Sequence, residues 1–174
     1  KEGGVMLETV LMYLNNWFVM GRYDDTYTIE DGGITLPFLV NGQYFRIVGS
    51  LFNDGVYKYA DGAALDETGT ETTLTDETFD GSVWALAIPK ALLSTVEEIT
   101  AWTAKNGDGG PYTSESFGGY SYSKATNSKG LAVGWRDVFS AQLAPWKKPA
   151  GSWQYANPNP HMTPPEPHKD NPWR

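Results

Sequence analysis

The chain has 174 residues and a mass of 19.2 kDa, which suits one compact domain with an appendage. With 40% hydrophobic and 20% charged residues it can bury a core, and 13 Lys and Arg against 21 Asp and Glu leave a net charge of −8. That balance excludes a protein that holds nucleic acid by neutralising many phosphates, which takes a basic face. The absence of cysteine excludes disulfides, thiolate zinc sites and cysteine nucleophiles. His161 and His168, the two histidines, both fall in a proline-rich tail, which argues against a histidine-based active site. Neither catalysis nor a cofactor is expected. The apolar stretches are far shorter than the roughly 20 residues of a membrane span, and no leader pattern is visible, so a soluble chain is expected.

Residues 5–20 predict an amphipathic helix, because Leu7, Val10, Leu11, Leu14, Trp17 and Phe18 recur at three- and four-residue steps and Gly21 supplies a stop. The pattern then changes. Short β-branched or aromatic runs at 27–29, 34–39, 44–48 and 56–59 are separated by Asp31-Gly32-Gly33, Asn41-Gly42 and Asn53-Asp54-Gly55. An Asn-Gly pair between apolar runs signals a hairpin. With a further strand at 82–87, residues 27–88 read as a small antiparallel sheet. Pro89 opens a second helix over about 90–104, striped by Leu92, Leu93, Val96, Ile99 and Trp102 or Thr103. The run from Asn106 to Pro111 breaks it, and 112–129 is polar, aromatic and glycine-rich. A third helix is predicted over about 131–144, on Leu131 or Val133 with Trp135, Val138, Phe139 and Leu143. From Pro145 onward, eight prolines in 30 residues predict an extended tail.

The expected class is therefore α+β: a small bundle of about three helices carrying an inserted antiparallel sheet and an extended proline-rich C-terminal arm. Its expected divisions are 1–26 for the N-terminal helix, 27–88 for the β insertion, 89–145 for the rest of the helical core with its Ser/Gly/Tyr loop, and 146–174 for the arm.

Charge is unevenly spread. Residues 1–104 carry 5 basic and 16 acidic side chains, net −11, whereas 105–174 carry 8 and 5, net +3. Between Asp61 and Asp80 there are seven acids and no Lys or Arg. Such a run reads as a solvated acidic loop, or as a surface that meets a basic partner or faces an anion without holding it. Asp76-Glu77, with Asp66-Glu67 and Asp80, does not read as a glycosidase pair, since neighbours on a strand point to opposite faces. The run from Asp66 to Thr73 lacks the spacing of a calcium loop, and the two histidines lack a metal-binding spacing, so no metal site is expected. Of the seven tryptophans, Trp17, Trp84, Trp102 and Trp135 fall on predicted core faces, while Trp146, Trp153 and Trp173 lie in the tail. Aromatics spaced through an extended proline-rich segment suit an arm that anchors into pockets of another chain.

The segment Ser114-Glu-Ser-Phe-Gly-Gly-Tyr-Ser-Tyr122 resembles the S-E-S-(I/F)-G-(D/G)-Y-S loop of the head–tail connector (adaptor) proteins of tailed phages. It lies where that family has it, after a helix preceded by proline and before a terminal helix. Gln43-Tyr-Phe-Arg-Ile-Val-Gly-Ser50 with Phe52-Asn-Asp-Gly-Val56, continued by Thr75-Asp-Glu-Thr-Phe-Asp-Gly-Ser-Val-Trp84, looks like a sheet insertion of some phage and prophage connectors. The likeness spans about residues 5–145; the proline-rich tail and large β insertion depart from the family's compact helical form. What the resemblance implies is a structural virion protein assembled in the host cytoplasm: a ring, usually of twelve copies, docked beneath the portal protein at the capsid–tail joint. It would extend the DNA channel, let DNA pass without specific binding, present a platform to the next neck or tail protein, and have no membrane partner. The residues that chemistry then nominates for interfaces are Phe117, Tyr120 and Tyr122 in the loop and Trp146, Trp153, Tyr155 and Trp173 in the arm. An alternative is a carbohydrate-binding β module of a phage tail or bacterial surface protein, which requires Trp84, Tyr57 and Tyr59 exposed on one sheet face.

Overall fold

The two longest strands are distant in sequence and adjacent in space. β1 (Val19–Ile29) and β6 (Glu77–Leu86) pair antiparallel, with Arg22 opposite Trp84 and Tyr27 opposite Phe79. β2 (Tyr44–Val48) takes the other side of β6, placing Arg46 opposite Trp84. β3 (Gly55–Ala60), β4 (Ala63–Leu65) and β5 (Glu71–Thr72) follow as hairpins, so the antiparallel sheet runs β1-β6-β2-β3-β4-β5. The computed structural model describes residues 6–107, 114–117, 120–123, 126 and 130–149. The described residues fall into two compact units, those of 6–88 with 148–149 and those of 89–147.

In the first unit the alternation of side chains across the pleat sorts residues onto two faces. One face carries Tyr27, Ile29, Phe45, Ile47, Tyr59, Phe79, Val83 and Ala85, which pack with Ile34, Leu36, Leu39 and Leu74 from the connecting loops into one apolar cluster. The other face presents Arg22, Arg46, Val48, Ser82 and Trp84. Over that face lies α1 (Met6–Leu14), with Leu7, Val10, Leu11 and Leu14 buried and Glu8 facing Arg46 and the Val56 backbone. The β3–β4 connection is a two-residue loop whose residues Asp61 (φ 47°) and Gly62 (φ 89°) both adopt positive φ, as a type I′ hairpin requires.

The expected helical bundle with a sheet inserted in it is overturned: the architecture is a six-stranded antiparallel sheet with a few short helices. The N-terminal helix ends at Leu14, not Met20, because Asn15 enters the left-handed region (φ 50°) and a Schellman motif closes the last turn. In it Asn16 N–H donates to Leu11 O at 3.2 Å and Asn15 N–H to Met12 O at 3.1 Å. The freed residues from Val19 become the edge strand β1. Residues 34–39, expected as a strand, bury Ile34, Leu36 and Leu39 yet form no ladder. Pro37 has no N–H to give, and Leu39 N–H closes a turn onto Leu36 O at 3.1 Å. Asn41-Gly42 likewise turns the chain without joining two strands.

In the second unit α2 (Lys90–Asn106) follows Pro89, buries Leu92, Val96 and Ile99 on the expected stripe, and is closed by Gly107, whose N–H donates to Thr103 O. β7 (Ser114–Phe117) and β8 (Tyr120–Ser123) form an antiparallel hairpin. The expected third helix is shorter and divided into α3 (Trp135–Val138) and α4 (Ser140–Leu143), with a 3-10 turn at Ala144–Trp146. Trp135, Phe139 and Leu143 are buried one helical turn apart, while Leu131 and Val138, placed on the predicted stripe, are exposed.

Gly81 marks the tightest point of the sheet. A methyl group there would lie 2.5 Å from Val48 O and 2.7 Å from the Phe79 ring, and the backbone oxygen belongs to the paired strand β2. Gly81→Ala is expected to destabilise the chain by about 1–3 kcal/mol, read as a lower denaturant midpoint with an unchanged slope.

Candidate interaction surface

The seven acids between Asp61 and Asp80 are not a free run of charge. Asp61 Oδ1 accepts from Asn41 Nδ2 at 2.6 Å, and Asp61 N–H donates to Asn41 Oδ1. Asp66 Oδ1 accepts from Thr68 N–H and hydroxyl and from Thr70 N–H, fixing the β4–β5 loop. Those bonds hold its carboxyl below the usual range, the Thr68 hydroxyl contributing most. Glu67 Oε2 accepts from Leu7 N–H at 2.7 Å at the start of α1, Asp76 Oδ1 from Gly32 N–H at 2.9 Å, and Asp80 Oδ1 from the Thr26 hydroxyl. Asp61, Glu67, Asp76 and Asp80 thus tie their segments to distant ones, whereas Asp66 braces its own loop.

Glu77 does the most. It sits at the start of β6 under the β2–β3 connection, residues 49–54, and accepts from the Ser50 hydroxyl, from Asn53 Nδ2 at 2.5 Å and from Leu51 N–H at 3.4 Å. Asn53 also donates to Thr75 O at 2.9 Å, accepts from Thr75 N–H at 2.8 Å, and gives its own N–H to Ser50 Oγ at 2.6 Å. Asp54 Oδ1 accepts from Ser50 N–H, and the Tyr57 hydroxyl donates to Asn53 O at 3.1 Å. Burial, with the charges of Glu8 and Asp54, raises the Tyr57 hydroxyl to about 12, so it stays a donor. The result is a loop of inverted polarity. Ser50 and Asn53 are buried, whereas Leu51 is 80% and Phe52 63% exposed.

On the sheet face under α1, Arg46 is stacked between two indoles. Its guanidinium carbon is 3.7 Å from the Trp17 ring centroid and 5.1 Å from that of Trp84, and the two rings meet edge to face at 6.5 Å. Arg22 lies over the same Trp84 at 5.7 Å and is paired with Asp24 at 3.2 Å. Arg46 Nε, Trp84 Nε1 and Ser82 Oγ are buried without hydrogen-bond partners among the described residues. The ring faces and the charges of Glu8 and Asp54 bear on the half-buried Arg46. This stack fastens Trp17 to the sheet, with Trp17 and Trp84 both buried.

The aromatic platform required for sugar binding does not form from its nominated residues. Trp84 and Tyr59 are buried and Tyr57 half-buried, and Trp84 lies on the opposite face from the two tyrosines. Phe117 lies in β7, Tyr120 and Tyr122 in β8, and Phe117 pairs with Tyr120 at the hairpin end. Trp146 is half-buried in the 3-10 turn. Trp153, Tyr155 and Trp173, with His161 and His168, lie outside the described residues. Among the described residues no cluster of three acids and histidines is spaced to hold a metal, and no helix is long and apolar enough to cross a membrane. A shallow groove lined by Thr28, Glu30, Asp31, Thr35 and Asp61 is acidic and open. Sequence reasoning missed the loop at 49–54 as a site, reading Asn53-Asp54-Gly55 only as a turn; the one signal was Leu51-Phe52 directly preceding that turn.

Burial pulls the Glu77 carboxyl upward, but the bonds from Ser50, Asn53 and the Leu51 and Phe52 backbone outweigh it and hold the group below its ordinary 4.5. Because the folded value is the lower one, its contribution is complete above about pH 4.5 and is lost as pH falls through the folded value. Glu77→Gln is expected to cost about 1 kcal/mol at pH 7, solvent screening keeping the loss small, and nothing at the acid end. Unfolding free energies of both forms between about pH 3 and 7 check this; parallel curves would refute it. Neither a family model, nor a curated protein, nor a solved structure matches this chain.

Proposed function

We propose that this chain is a structural subunit of the head–tail joint of a tailed phage, a connector that closes as a ring beneath the portal and passes DNA through its centre. One observation carries this reading. Most of the segment whose sequence resembles the connector loop is paired backbone, Ser114–Phe117 against Tyr120–Ser123, and it follows α2 and precedes α3 in the chain, which supports the reading. The large sheet makes this a sheet-dominated connector, a departure from the helical form of the family. The charge distribution supports the same role. A segment 1–104 at net −11 repels a DNA backbone and lets it slide, where a basic lining would retain it. The partners are further copies of the chain, the portal and the next neck or tail protein.

The test is the symmetry and mass of the assembly in intact particles. Class averages are expected to show a closed ring of about a dozen copies at the capsid–tail joint. Location at a tail tip or on a cell surface would overturn the reading. The arm gives a second expectation: replacing Trp153 and Trp173 by alanine weakens assembly into particles and leaves the melting temperature of the isolated chain unchanged.

A further inference from the structure

The dipeptide Asn-Gly occurs twice, at Asn41-Gly42 and at Asn106-Gly107. It carries a chemistry of its own. The backbone nitrogen of the glycine can attack Cγ of the preceding asparagine, because glycine has no side chain to hinder the approach. A C–N bond forms and closes a five-membered succinimide, while the C–N bond to the side-chain nitrogen breaks and ammonia leaves. Water then opens the ring at either carbonyl, giving aspartate or isoaspartate. One water enters and one ammonia departs at each converted site.

Both pairs are exposed, so water reaches each of them and the fold decides which reacts. The attack needs a released glycine nitrogen and a side-chain amide able to turn toward it. At Asn41 both are held by groups well separated in sequence. Gly42 N–H donates to Tyr59 O at 2.8 Å, Asn41 Nδ2 to Asp61 Oδ1 at 2.6 Å, and Asp61 N–H to Asn41 Oδ1 at 2.8 Å. Tyr59 is buried in β3 and Asp61 forms the β3–β4 turn, so freeing Asn41 means parting its loop from that hairpin. At Asn106 the bonds are local. Asn106 Nδ2 donates to Trp102 O at 2.9 Å and Gly107 N–H to Thr103 O at 2.8 Å, both within the last turn of α2. Ala104, Lys105, Asn106 and Gly107 are all exposed, and a methyl group at Gly107 would meet nothing within 4 Å. A helix end that buries nothing frays at a free energy near zero, whereas a paired hairpin opens far less often.

We propose that Asn106-Gly107 is a site of spontaneous deamidation in the folded chain, and that the clasp to Tyr59 and Asp61 shields Asn41-Gly42 from the same reaction. The product alters the end of α2. A carboxylate at position 106 has no N–H to give to Trp102 O, and it adds negative charge where the helix dipole is already negative. Isoaspartate also inserts a carbon into the main chain, which takes Gly107 N–H out of register with Thr103 O. The last turn of α2 loosens, and the chain becomes one charge more acidic.

Timed incubation of the purified full chain in heavy-oxygen water, followed by peptide mass mapping, tests this. Heavy oxygen in the product marks conversion during the incubation, and fragmentation separates aspartate from isoaspartate. Conversion at Asn106 is expected to run about tenfold or more ahead of conversion at Asn41. In guanidinium, where neither set of bonds survives, the two sites are expected to convert at similar rates. Asp61→Gly tolerates the positive φ at that position and removes the carboxylate that holds Asn41 Nδ2. It is expected to raise conversion at Asn41 severalfold and to leave Asn106 as it was. A folded chain that converts Asn41 as fast as Asn106, or that keeps Asn106 intact while the unfolded chain converts fully, would overturn the proposal. So would a preference for Asn106 that persists unchanged in guanidinium, or an Asp61→Gly chain whose Asn41 reacts no faster than before.

Discussion

The pairing of β6 with β1 and β2 is the constraint on which the first unit depends. From Gly81 to Leu86 every residue of β6 is buried, so the strand needs a neighbour on each edge and a cover on each face. The edges are met by β1, more than 50 positions earlier, and by β2. One face is covered by loops that carry Ile34, Leu36, Leu39 and Leu74, and α1 lies over the other. Such contacts are non-local, and their loop-closure entropy must be met before they return anything. Local propensity alone would not assemble them. The absence of a side chain at Gly81 is what lets Val48 O and the Phe79 ring approach there together.

Because the strands come from separate parts of the chain, the loops between them have to be held in position. The carboxylates do this work. Asp61, Asp66, Glu67, Asp76, Glu77 and Asp80 each accept from a side chain or backbone donor, most of them across a long sequence separation. A charged acceptor makes a stronger bond than a neutral one, which suits short exposed loops that bury little apolar area. The acidity of this stretch is therefore a folding device. Arg46 answers it beneath α1, where two indole rings and the carboxylates of Glu8 and Asp54 bear on its charge.

How much of this could be read from the sequence follows from how local each signal is. The α2 stripe of Leu92, Val96 and Ile99 and the strands at β2 and β3 were legible, because their periodicity lies within one element. The end of α1 was written in Asn15-Asn16, but Trp17 and Phe18 continue the helical spacing by coincidence; Trp17 is buried against Trp84 instead. Most of β1 was missed because Tyr23, Asp24, Asp25 and Thr26 are exposed in succession, so the strand does not alternate there. Residues 34–39 show the burial of a strand without its hydrogen bonds, a distinction that pattern cannot make and Pro37 alone hinted at. The network at Glu77 joins residues 24 to 27 positions apart, so no local pattern foretold it.

The inverted loop at 49–54 is the point where local rules and global fold disagree. Exchanging its polarity would return apolar area to the interior at about 1.5–3 kcal/mol for each large side chain. The chain instead places Ser50 and Asn53 inside, which succeeds only because each finds several partners; a half-satisfied network would be worse than an apolar filling. On β6, by contrast, Phe79, Val83 and Ala85 face the apolar cluster while Thr78 and Asp80 are exposed. A local departure that costs stability and is nonetheless built with this many bonds is the mark of a site shaped for something other than the stability of the isolated chain. The exposed pair Leu51 and Phe52 meets that description.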